Sequence, residues 1–299
     1  MLEGVMLLWF VLAALSVLFV AVDIRSTPEA AVMKWGFVLV TAYTGVIGAF
    51  LYVLGCREPL PGLHEQYTAS RWRQALGSTM HCVAGDGVGI IAGALLAVAI
   101  GLGGVGEMVL EYVLGFAFGW SIFQALFMRD MVGGSYKRAL SSTFVPELVS
   151  MNFLMAGMLP TMMALRRYVP NADDPATANF WFVMSMALLV GLCAAYPING
   201  WLVANHLKHV MMTVRSAPAG GAHDEAHATR GMQHAAPAMS HAPAQAFMSE
   251  VSMSHAAMPA GETMPNTPTS PPHPSLAAMT LLSFAELAVG VAIAMAQPM

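Results

Sequence analysis

Seven long apolar stretches govern what this chain can fold into: 5–22, 33–54, 79–100, 108–128, 144–165, 180–204 and 276–296. Crossing about 30 Å of hydrocarbon takes roughly 20 helical residues. Without water, only helices and closed barrels satisfy every peptide group, and stretches this continuously apolar are helical. The expected fold is an all-α integral membrane protein, a bundle of about seven transmembrane helices in a lipid bilayer. Composition agrees, since 57% of the residues are hydrophobic and 10% charged, where soluble domains carry about a quarter charged residues. A formal net charge of −4 leaves no basic footprint for nucleic acid. Cys56, Cys82 and Cys193 are too few and too scattered for a disulfide framework, and no pair has the spacing of a zinc knuckle. The first apolar run lacks a basic n-region and an A-x-A site, so no cleavable signal peptide is expected.

Lysine and arginine placement gives an orientation. Arg57, Arg71, Arg73, Arg129, Lys137, Arg138, Lys208, Arg215 and Arg230 fall in alternate loops of a seven-span chain, against Arg25, Lys34, Arg166 and Arg167 on the opposite side. The positive-inside rule then puts the N-terminus in the cytoplasm and the C-terminus outside. Segment 216–275 is rich in Ala, Pro, Met, His, Ser and Gly and lacks the bulky apolar residues that offset chain ordering, so it is expected to be disordered. The organisation expected is two N-terminal transmembrane helices (1–66), a four-helix membrane core (67–215), that linker (216–275) and a C-terminal transmembrane helix (276–299).

Three regions carry residues with chemistry. The linker holds three Met-x-His units, Met232/His234, Met239/His241 and Met253/His255. Thioether with imidazole suits Cu(I) far better than Mg or Ca, although a biased tether has the same composition. In the fifth stretch, Glu147, Met151, Met155, Met158 and Met162 fall on one helical arc, the methionines climbing about 16 Å. Methionine is also an ordinary core filler, but a carboxylate within a span usually faces a functional interior. In the third stretch, Cys82 and Asp86 share a face next to His81. Gly85, Gly89 and Gly93 there form a small-xxx-small series that admits a close neighbour. Glu107 and Glu111 are expected to cap the fourth span, Gln124 to pack, and His206, Lys208 and His209 to mark an interface.

The motifs MHCVAGD, PELVSMNFLMAGMLPTM and AYPINGWLVANHLKHVM, in that order, together resemble a bacterial multi-pass membrane family, the domain of unknown function numbered 4396. The resemblance covers roughly residues 67–213; the first two spans, the linker and the last span lie outside it. It implies a bacterial cytoplasmic (inner) membrane protein with no established activity, some relatives carrying copper-related labels. It places emphasis on His81, Cys82, Asp86, Glu147, Met151, Asn152, Met155, Met158, Tyr196 and Asn199.

The expectation is a non-enzymatic membrane protein that binds, and moves, a soft metal ion, Cu(I) first, with no other cofactor. No GxxxxGK[ST] loop is present, so this chain is not expected to pump with ATP. The alternative is a scaffold whose small-residue faces bind other membrane proteins or a second copy of itself, with the linker a mere tether.

Overall fold

The computed structural model describes residues 2–129, 134–208 and 274–296. Its elements are α1 (Leu2–Asp23), α2 (Ala31–Thr44), α3 (Val46–Gly55), α4 (His64–Thr68), α5 (Arg71–Ala99), α6 (Val105–Phe118), a π-helical turn (Gly119–Gln124), α7 (Ala125–Arg129), α8 (Tyr136–Arg166), α9 (Ala178–Ala204) and α10 (Leu276–Ala296). No strand occurs among the described residues. Among the described residues, six helices are long and apolar enough to cross a membrane: α1, α5, α6 continued through α7, α8, α9 and α10. The apolar residues that α1 and α10 leave exposed, such as Leu8, Leu15, Leu18, Leu281, Val289 and Ile293, suit contact with lipid. The linker residues Met232, His234, Met239, His241, Met253 and His255 lie outside the described residues.

Where about seven spans were expected, six helices among the described residues reach spanning length. The apolar stretch 33–54 is two shorter helices, α2 and α3, broken at Gly45. There φ is +59° and ψ −132°, a backbone region that only glycine enters freely. With 14 residues, α2 reaches about 21 Å, short of the hydrocarbon thickness, and α3 brings the chain back. Both ends of the pair meet the C-terminal end of α1. Arg57 Nε donates to Asp23 Oδ2 at 2.9 Å, Tyr52 donates to the same oxygen at 2.8 Å, and Thr27 and Tyr52 hydroxyls are 2.9 Å apart. The Gly45 tip rests on mid-α1, where a Cβ would stand 3.4 Å from Ala13 and Trp9 side chains. Along α5, Gly36 lies by His81, Tyr43 by Gly87, and Gly55 by Leu76. A hydropathy window sums the same residues whether they cross or fold back, so the pair reads as one span.

Close approach builds the rest of the bundle. A Cβ on Gly85 would meet Gly119 Cα at 2.9 Å, one on Gly93 would meet Glu111 Cα at 2.7 Å, and one on Gly89 would clash with the Leu114 carbonyl. The four-residue glycine series of α5 therefore packs against a matching Glu111–Gly115–Gly119 series, as a small-residue interface allows. Helices α8 and α9 meet through Gly157 and Gly191, and α10 docks on α8 where Gly290 lies against Ala156. Asn152 Nδ2 donates to Ser283 Oγ of α10 at 3.0 Å, while its Oδ1 accepts from Tyr112 at 2.6 Å.

Candidate functional site: a buried polar centre

Carboxylates, a thiol, amides and an amine converge inside the bundle from five segments. Cys82 and Asp86 come from α5, one turn apart, with Cys82 about 16 Å along the helix from Arg71. Glu147 and Ser150 come from α8, Asn199 from α9, and Lys208 from the chain just beyond α9. Asp86, Glu147, Cys82 and Asn199 are fully buried, and Lys208 nearly so. The Cys82 Sγ accepts from Lys208 Nζ at 2.6 Å and from Gln124 Nε2 at 2.8 Å, and donates to Glu147 Oε2 at 3.3 Å. Lys208 Nζ also pairs with Glu147 Oε2 at 2.9 Å and donates to Asn199 Oδ1 at 2.9 Å. Asn199 is held in turn by its own Nδ2, which donates to Ser150 Oγ and to the Ala195 carbonyl, each at 2.9 Å.

Gln124 reaches the thiol because the helix widens just before it. A π-turn adds a residue to the helical repeat and rotates the rest of the helix, a device concentrated at functional sites. The glycine at its start matters too. Asp86 Oδ1 and Glu147 Oε1 both crowd the point where a Cβ on Gly119 would stand. Asp86 Oδ1, Asp86 Oδ2 and Glu147 Oε1 have no hydrogen-bond partner among the described residues. Formal charges sum to minus one: two carboxylates against the Lys208 ammonium, the one cation facing them among the described residues. Buried charge is stable only when paired, so the two carboxyls facing one ammonium require either a proton on one of them or a further cation.

Of the expected site residues, the structure brings Cys82, Asp86 and Glu147 together. Met151, Met155, Met158 and Met162 are all fully buried on the same helix as Glu147. The methyl of Met151 and the Asp86 carbonyl both border Gly115, so the methionine arc begins beside the centre. His81 does not join it; its ring packs on Phe123 and Phe127, with centroids 5.6 and 5.2 Å away. Helical geometry explains this, since adjacent residues diverge by about 100°.

The residues missed from sequence are Gln124, Ser150 and Lys208 as centre members, with Asn199 signalled by resemblance alone. Glu111, expected to cap a span, is fully buried, and neither carboxylate oxygen is hydrogen-bonded among the described residues. Its neighbour Glu107 pairs with Arg166 at 2.8 Å. Glu111 thus lies between the level of that pair and the level at which Gly115 meets Met151. A signal for Glu111 was available: Glu111, Gly115 and Gly119 repeat at the spacing of the facing glycines.

Residues 71–208 match the family model for a domain of unknown function, DUF4396. The match opens on the first residue of α5 and closes on Lys208, so every member of the polar centre lies within the DUF4396 segment. Helix α1, the α2–α3 hairpin and α10 lie outside it. No curated protein and no solved structure matches the chain.

Proposed function

We propose that the chain is a multi-pass membrane carrier for a soft monovalent cation, Cu(I), taken up at the Cys82–Asp86–Glu147 centre. The observation that carries this reading is a pair of buried carboxyl groups facing a single lysine beside a buried thiol. A monovalent ion on the Cys82 thiolate balances the centre when the thiol proton passes to one of the two carboxylates, whereas a divalent one leaves an excess. Sulfur selects Cu(I) among such ions, and a proton shared between the carboxylates balances the centre when the metal is away. The Met151, Met155, Met158 and Met162 thioethers offer weak successive sites leading away from it, and Glu111 offers a carboxylate farther along. Weak, multiple sites suit passage because the ion must also leave.

The linker units Met232/His234, Met239/His241 and Met253/His255 act, on this reading, as a collecting surface for the same ion. With six crossings, Arg166 and Arg167 lie at one end of the bundle and the other eleven of the 13 Lys and Arg residues at the other or in its loops. The positive-inside rule then places the hairpin root, the linker and Lys208 on the cytoplasmic side. On this count of crossings both termini are outside, where seven crossings would put the N-terminus in the cytoplasm. The membrane is the cytoplasmic membrane of a bacterium, a placement supported by the family resemblance.

Competition for Cu(I) against a chromophoric chelator under anaerobic conditions tests the proposal. The purified full chain is used with Met232, His234, Met239, His241, Met253 and His255 replaced by Ala, so that the linker does not mask the centre. The protein unaltered at the centre should withhold copper, and Cys82→Ser and Asp86→Asn in that background should each weaken retention by about tenfold or more, equivalent to at least ~1.4 kcal/mol. Copper withheld equally by the unaltered protein and both variants would overturn the assignment. Copper withheld by none of them would leave the scaffold as the better account.

A further inference from the structure

A second cluster of ligand-type side chains, sharing no residue with the polar centre, lies at the root of the α2–α3 hairpin. Glu29, just before α2, Cys56, which closes α3, and His64, which opens α4, are all buried. One potential ligand atom from each lies within 4.8 Å of the others. His64 Nε2 stands 3.9 Å from Glu29 Oε1 and 3.1 Å from the Cys56 carbonyl oxygen. Glu29 Oε2 is steadied by the Ala30 amide at 3.1 Å.

We infer that Glu29, Cys56 and His64 form a Zn²⁺ site that fastens the hairpin root, with the fourth position left to water or an incoming ligand. Sulfur, imidazole nitrogen and carboxylate oxygen are the three donor types that Zn²⁺ takes, at about 2.0–2.3 Å in a tetrahedron. Tetrahedral donors at that range stand roughly 3.5 Å apart, so the observed spacing closes by small side-chain rotations. Imidazole and thiolate together are donors that Zn²⁺ takes, whereas the polar centre has no imidazole in its hydrogen-bonded set among the described residues and has the Met151 thioether beside it, a softer surrounding. Binding moves the His64 ring proton from Nε2, where it faces the Cys56 carbonyl, to Nδ1 so that the Nε2 lone pair meets the metal, and displaces the Cys56 thiol proton to solvent. The three residues come from separate segments of the chain. A metal there cross-links the chain before α2 to the chain after α3, the two points that must stay together for the pair to fold back. The bonds among Asp23, Arg57, Tyr52 and Thr27 join the same ends.

The test is Co²⁺ substitution in the full chain, read as the thiolate-to-metal charge-transfer band. Imidazole and thioether groups of segment 216–275 do not produce that band, so it reports a cysteine ligand alone. The expected result is a band in the unaltered protein that is bleached by Zn²⁺, abolished in Cys56→Ser, weakened in His64→Ala and Glu29→Gln, and retained in Cys82→Ser. Retention in Cys82→Ser separates this site from the copper centre, whose failure would leave the cobalt result untouched. Absence of the band in the unaltered protein needs no variant to fold, and it overturns the inference. So does a band lost in Cys82→Ser but kept in Cys56→Ser.

Discussion

Lys208 and Asp86 are opposite halves of one electrostatic arrangement, and changing them should have opposite effects. Lys208→Met leaves Glu147 without its counter-charge in a buried setting, which costs about 3–5 kcal/mol for a broken buried pair; the melting temperature in detergent should fall sharply. Asp86→Asn leaves Lys208 and Glu147 matched, so the same melting measurement should show no loss while copper retention weakens by about tenfold or more. A fall in both would mean that Asp86 holds the bundle together and does not serve a ligand. Asp86, Glu147 and Cys82 were legible in sequence because ionisable groups within apolar runs are costly and so stand out. Lys208 was not, because it comes after the end of an apolar run, where a cation is ordinary at the interface; only the fold shows it turned inward. Gln124 was hidden for a different reason. The π-turn shifts its direction by an amount that a regular 3.6-residue wheel does not contain.

At the scale of elements, glycines decide where helices touch. Gly89→Ala should cost about 1–3 kcal/mol as an overpacked contact, since its methyl would push into the Leu114 carbonyl. Gly45→Ala should cost about 1–3 kcal/mol for a different reason, backbone strain at positive φ. Thermal melts of both variants check this, and proteolysis confined to 24–70 in the second alone would locate the damage in the hairpin. The α5 glycine series was read correctly as a close-packing face. Its partner series on α6 was not, because Glu111 looked like a helix-start carboxylate. The methionine arc of α8 faces inward as its spacing implied, but burial alone fits a core as well as a path. Replacing Met151, Met155 and Met158 together by Leu nearly conserves volume, so melting should shift little. The rate of copper uptake into vesicles should drop, and an unchanged rate would mark the arc as packing only.

For the whole molecule, hydropathy correctly revealed a helical membrane bundle and its long spans. What it concealed was the direction of one element, since depth and return are not encoded in the apolar sum of 33–54. The six-crossing arrangement makes a direct claim: reporters fused to the two ends should register the same compartment, periplasmic, and a reporter placed between 209 and 273 the opposite one. Reporters in different compartments at the two ends would restore an odd number of crossings. The folding back of residues 31–55 also bears on how such chains diversify. An insertion that dips and re-emerges is topologically silent: it can be gained, lengthened or lost while every downstream loop keeps its compartment. A true additional crossing would invert the entire 71–208 segment and turn its chemistry to face the wrong way.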